Sequence, residues 1–179
     1  MTKSIDRSKS ALIVDDEESI RYLFSFQLKR LGYECTTATD GLEALAQLSR
    51  REFGLVMLDI RMPKMSGLDV LQDIRRGRTE TCVVMMSALA DAEIAVAALK
   101  LGADDYLTKP CSPEHLKLRL EGAHKHRELE IERQAEGSSA DKPPQHERSL
   151  LKVTEDLIHQ QLALIEGLDP LEPPKDRPS

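Results

Sequence analysis

The sequence predicts a doubly wound α/β sandwich, a parallel sheet covered by helices on both faces, with a purely helical extension behind it. Three observations lead there. Over the first 110 residues, short aliphatic or β-branched runs alternate five times with apolar residues at helical spacing. Repeated strand–helix–strand units give parallel strands joined by right-handed crossovers. The run LVML at 55–58 is apolar without a break, which calls for burial on both sides.

The expected strands are 11–14, 33–38, 55–58, 82–86 and 105–108. Ile20, Leu23, Phe24, Leu28 and Leu31 fall on one helical face and define the first helix. Leu42, Leu45 and Leu48 mark a second helix behind Asp40–Gly41, and Leu68, Leu71 and Ile74 a third. Ile94, Ala97, Ala98 and Leu101 mark a fourth, with Asp91 as its N-cap. Gly32, Gly77 and Gly102 stand where helices should stop. Ser112 and Pro113 form an N-cap and first-turn pair for a fifth helix, whose charged helix formers run on to about Glu136.

This makes 8–127 a domain and 128–136 a continuation of its last helix. Residues 137–148, GSSADKPPQHER, read as a polar linker. Leu150, Val153, Leu157, Ile158, Leu162, Leu164 and Ile165 then give an amphipathic helix over 149–167, closed by Gly167. The Pro-rich end, 168–179, is expected to be disordered and to be a natural terminus.

Composition agrees with one domain and an appendage: 179 residues, 40% apolar and 31% charged. No stretch approaches the roughly 20 apolar residues of a membrane span, and residues 1–10 lack the apolar core of a signal peptide. The 3 cysteines are odd in number and show no CxxC spacing, so reduced thiols in a cytoplasmic protein are expected. Nucleic acid is not expected as a partner. The net charge is −6, and from residue 112 onward 10 basic residues face 14 acidic ones, with no Phe, Trp or Tyr for stacking.

In a parallel sheet, ligands bind beyond the carboxyl ends of the strands. Asp15 and Asp16 follow the first expected strand, Asp59 the third, Ser87 the fourth and Lys109 the fifth. Three carboxylates brought together there would repel, and a divalent cation resolves that; an all-oxygen site with few protein ligands suits Mg²⁺. Lys109 adds a positive charge for a phosphoryl group and Ser87 a hydroxyl, which fits phosphoryl transfer to a carboxylate nucleophile. Singly, each residue has an ordinary explanation as a cap, a turn residue or a solvated charge. Their co-occurrence on four strand ends favours chemistry.

At these residues the sequence resembles the receiver domains of bacterial two-component response regulators. The resemblance rests on ALIVDDEESIR at 11–21, LVMLDIRMPKMSGLDVL at 55–71, VVMMSA at 83–88 and GADDYLTKP at 102–110. It implies a flavodoxin-like sheet of order 2-1-3-4-5, with Asp59 as phosphoacceptor. Asp16 would bind Mg²⁺ directly, Asp15 mainly through water, and the backbone carbonyl of Arg61 would complete the ligands. Lys109 would pair with the phosphoryl oxygens and precede a cis bond to Pro110. Ser87 would swing toward the phosphoryl group while Tyr106 turned inward, remodelling the face of the fourth helix, fifth strand and fifth helix. Arg61 and Leu89 would flank the phosphoryl group and tune its lifetime. Cys111 and Gly54 depart from the family pattern, away from the chemistry.

The implied partners are a sensor histidine kinase or phosphotransfer protein and a downstream effector. The stripe at 149–167 needs cover from its own domain, a second copy or another protein, and self-association is the preferred expectation. His124 and His126 are two apart and make a poor metal pair; His159 lacks the surroundings of a phosphotransfer histidine. The competing readings are an Asp-nucleophile phosphohydrolase, a phosphorylation-independent scaffold, and a regulator whose output domain is missing. Arg61 speaks against the first, because such enzymes need a carboxylate there. Retention of Asp15, Asp16, Asp59 and Lys109 speaks against the second.

Overall fold

The structure, a computed structural model, describes residues 7–77, 80–88 and 92–135. Asp91, Leu89, the linker at 137–148, the stripe at 149–167 with His159, and the tail at 168–179 lie outside the described residues. Five strands, β1 (Ser10–Val14), β2 (Glu34–Ala38), β3 (Leu55–Asp59), β4 (Cys82–Ser87) and β5 (Asp105–Thr108), alternate with five helices. These are α1 (Glu18–Arg30), α2 (Gly41–Arg50), α3 (Gly67–Gly77), α4 (Ala92–Lys100) and α5 (Pro113–Ala135). Every strand pair is parallel and the order is β2-β1-β3-β4-β5, as expected.

Burial follows the period of two that a strand imposes. Leu12, Val14, Val56, Leu58, Val83, Met85 and Tyr106 face α2, α3 and α4. Ala11, Ile13, Leu55, Met57, Val84, Met86 and Leu107 face α1 and α5. The three central strands are buried along their whole length, which is why their sequences do not alternate.

Several local expectations shift. β3 and β4 each run one residue further than the apolar pattern suggested, because Asp59 pairs with Met86 and Ser87 with Thr108. Leu42 is 56% exposed, whereas Gly41, Ala44 and Leu48 are buried on α2. Leu45 and Leu48 pack inward as expected, and only Leu42 leaves the stripe, its place on the core side taken by Gly41, which carries no apolar signal. On α4 the inward set is Ala95, Ala98 and Leu99, with Ile94 and Leu101 at its margin. Gly32 and Gly102 take positive φ, 86° and 98°, as helix-stop residues; Gly77 is the last residue of α3 itself. The Ser112 hydroxyl accepts from the His115 amide at 3.2 Å and caps α5.

Candidate functional site

The carboxyl edge of the sheet gathers most of the residues singled out by the sequence. Asp15 leaves β1 and is wholly buried; Asp59 ends β3 and is 4% exposed. Lys109 follows β5, and its ammonium lies 2.7 Å from Asp15 Oδ2 and 2.7 Å from Asp59 Oδ1. Glu17 stands further off, at 3.8 Å. The remaining oxygens are held by backbone: Asp15 Oδ1 accepts from the Glu17 amide at 3.0 Å, and Asp59 Oδ2 from the Arg61 amide at 2.9 Å. The two acids, on the ends of the adjacent strands β1 and β3, are therefore joined through one lysine from the far strand β5.

Charge is not balanced there. Two carboxylates share one buried ammonium, so the cluster keeps an excess negative charge. Burial raises the Asp59 carboxyl above the usual Asp range, and the bonds to Lys109 only partly oppose it. For Lys109, burial is the largest influence and pulls downward; the hydrogen bonds to Asp15 and Asp59 outweigh it and hold the ammonium above its ordinary value.

Of the three expected carboxylates, those of Asp15 and Asp59 meet at Lys109, and that of Asp16 lies outside this contact. Asp16 is exposed, and among the described residues no three His, Cys, Asp or Glu groups stand close enough together to hold a metal ion. The reason is turn geometry: successive residues leaving a strand point to different sides, so Asp15 turns inward to Lys109 and Asp16 outward. Arg61 is exposed at the rim with its amide on Asp59. Ser87 is 4% exposed on the neighbouring strand end, and its carbonyl accepts from the Lys109 amide at 2.7 Å. Tyr106 is already inside the core, at 3% exposure. The Lys109–Pro110 bond is cis.

Two residues that shape the site carried no assigned role in the sequence reading. Arg21, one turn into α1, donates Nη1 to the carbonyls of Asp15 at 2.8 Å and Asp16 at 2.9 Å, clamping the acidic turn. Gly67 opens α3 against the backbone of Asp59: a Cβ there would run into the Asp59 carbonyl, while the Gly67 amide donates to Ile60 O at 2.9 Å. Both lie inside the motifs quoted above, but only the folded turn shows what they touch. His124 and His126 point to different sides of α5, as their spacing required. His124 meets the Tyr33 hydroxyl, and His126 meets Asp104.

Comparison with known proteins gives a consistent result. Residues 11–121 match the family model of the response regulator receiver domain. A probable transcriptional regulator, ycf27, of Cyanophora paradoxa is 43% identical over 112 residues, 63% of this chain and 46% of that protein. The alkaline phosphatase synthesis transcriptional regulatory protein PhoP of Bacillus subtilis is 38% identical over 122 residues, 68% of this chain and 51% of that protein. The chain thus spans about half the length of these relatives. The crystal structure of the receiver domain of NtrX from Brucella abortus superposes with a TM-score of 0.61 at 38% identity, covering 64% of this chain and 98% of that one.

Proposed function

From the premise that this chain belongs to the response regulator receiver domain family, we propose that it is a switch phosphorylated on Asp59 by a sensor histidine kinase or phosphotransfer protein. One observation carries the reading: a single buried ammonium, Lys109, touches carboxylates from two separate strands at the ligand-binding edge of the sheet. One buried ammonium neutralises one buried carboxylate. Here a second acid is buried without a charge of its own to meet.

That surplus is what a divalent cation would relieve. The donors at hand are hard oxygens: the gathered carboxylates of Asp15 and Asp59, with the exposed carboxylate of Asp16 next in the chain and the carbonyl of Arg61 to complete the set. They suit Mg²⁺, which accepts few protein ligands and keeps its waters. When bound, Mg²⁺ supplies charge that lets an anionic phosphoryl group approach an anionic nucleophile. The chain does the rest. An Asp59 oxygen attacks phosphorus, forming the acyl phosphate bond as the donor's P–N bond breaks. Burial strips water from that oxygen, and the Arg61 amide fixes its partner oxygen in place. Lys109 can follow the charge as it moves outward onto the phosphoryl oxygens. Ser87, one strand over, offers a hydroxyl to the same group, and Tyr106 beside it couples the site to the α4–β5–α5 face.

Output through protein contacts in the cytoplasm is the reading that suits the acidic residues 112–179. Nucleic-acid output is a second reading, favoured by the transcriptional names of the relatives, and salt-dependent DNA binding by the full chain would establish it. The central proposal is tested by incubating the chain with acetyl phosphate and Mg²⁺ and measuring intact mass. One phosphoryl group per chain is expected, with none on Asp59→Asn and none without the metal. Equal labelling of Asp59→Asn would overturn the assignment.

A further inference from the structure

α5 is longer than its packing against the sheet requires. Its buried residues, Leu116, Leu120, Ala123 and Arg127, form one seam that ends at Arg127, yet the helix continues to Ala135. Beside that seam, toward the end of α1, lies a cavity of about 450 Å³. Leu31, Tyr33 and Leu120 supply its apolar surface and Lys9, Lys117 and Lys125 its cations, against Glu121 and Glu128. The floor is fixed: the Tyr33 hydroxyl bonds His124 Nε2 at 2.8 Å, and Lys9 lies 4.7 Å over the Tyr33 ring. On the adjoining outer line of α5, Leu118 is 67% exposed and Leu129 is half-buried. Between them a Cβ on Gly122 would meet nothing within 4 Å. A glycine inside a helix is destabilising relative to alanine, and here it leaves a low point where a second helix can come close.

We propose that this surface of α5 seats the chain's own residues 149–167, folded back as the second arm of a helical hairpin. Leu150, Val153, Leu157, Ile158 and Leu162 make an apolar stripe, and a helix of that length, marginal alone in water, gains its stability by packing such a face. As a helix the segment is about 27 Å long, the same as α5 from Lys117 to Ala135 at about 1.5 Å per residue. The intervening chain, 136–148, is polar and contains two prolines. As a flexible coil it would span about 20 Å, ample to reverse direction. Such a tether holds the segment at an effective concentration on the order of millimolar, which favours its own α5 over a second copy. Charge also matches. The groove's three lysines exceed its two glutamates, while the segment sets Lys152 against Glu155, Asp156 and Glu166. The contact requires no phosphoryl group, so it stands or falls apart from the function proposed above.

The test is hydrogen–deuterium exchange on the full chain beside full-length Leu157→Asp/Leu162→Asp, with light scattering on both. Those leucines lie outside the receiver body, so unchanged slow exchange in peptides covering β1, β3 and β4 serves to show that the variant is still folded. Slow exchange in peptides covering 28–33 and 117–131, lost in the variant and restored by adding a synthetic 149–167 peptide, is expected at a mass of one chain. Identical exchange in the two proteins overturns the proposal. So does protection that grows with concentration at a mass of two chains, because the occupant is then a second copy.

Discussion

The two ends of the sheet each bury a carboxylate among basic side chains, with opposite arithmetic. At the carboxyl end, Asp15 and Asp59 share Lys109. At the amino end, Asp104, entering β5, is held by Arg75 at 2.8 Å, Arg127 at 2.6 Å and His126 at 3.2 Å, and accepts from the Val83 amide at 2.7 Å. Arg75 reaches on to the carbonyls of Gly102 and Thr81, tying α3 to the ends of β4 and β5. At one end two acids share a single ammonium; at the other a single acid gathers two guanidinium groups and an imidazole. Burial raises the carboxyl at the first end; at the second, burial pushes upward too but His126, Arg75 and Arg127 overcome it and hold Asp104 below the usual range. A carboxylate saturated by cations is a fastening. A carboxylate short of them is open to a ligand.

Removing the fastening should have the largest effect. Asp104→Ala takes away the anion common to two buried guanidinium groups and should cost about 3–5 kcal/mol, read as a fall in urea midpoint. A loss under about 1 kcal/mol would erase the contrast between the ends. The gap between wild type and this variant should also depend on pH. A carboxyl lowered in the folded state stabilises above its unfolded value, about 4, and that stability is lost as pH falls through the folded value. Midpoints measured from pH 6 to 3 should therefore converge on the acid side; a constant gap would remove Asp104 as the cause.

Lys109→Met should come next. It leaves Asp15 and Asp59 together with no ammonium between them, costing about 2–3 kcal/mol in metal-free buffer. Millimolar Mg²⁺ should restore part of that loss by mass action, whereas Asp104→Ala should gain no more from the metal than wild type does. The smallest effect belongs to Asp59→Asn. It keeps the Asp15–Lys109 pair and removes the surplus charge, so thermal stability should stay within about 1 kcal/mol of wild type. Stabilisation by Mg²⁺ should shrink in the same variant. Undiminished stabilisation would place the cation elsewhere.

The amino end was invisible in the sequence for a physical reason. Arg75, Asp104, His126 and Arg127 are charged residues on helices and at a strand start, and singly each reads as a solvated charge. His126, which the spacing marks only as a poor metal ligand, bonds a fully buried acid. The carboxyl end was legible because Asp15, Asp59 and Lys109 each follow an apolar run that marks a strand end, and parallel topology sends all strand ends to one edge. Even so, spacing could not tell which of two adjacent aspartates turns inward. Nor could it show that Arg21 grips both carbonyls of the acidic turn, because a bond to backbone leaves no trace in the partner's identity.

Hydrophobic period and strand-end chemistry, both local and repeated along the chain, were enough to determine the parallel sheet, its two helical layers and the residue types at its carboxyl edge. Tertiary structure decided the rest: which charges neutralise one another, where Gly67 must be bare, and how Tyr33 and His124 floor a groove on α5. Those are contacts between residues up to 94 positions apart, fixed by packing in three dimensions, and no local pattern encodes a distance of that kind.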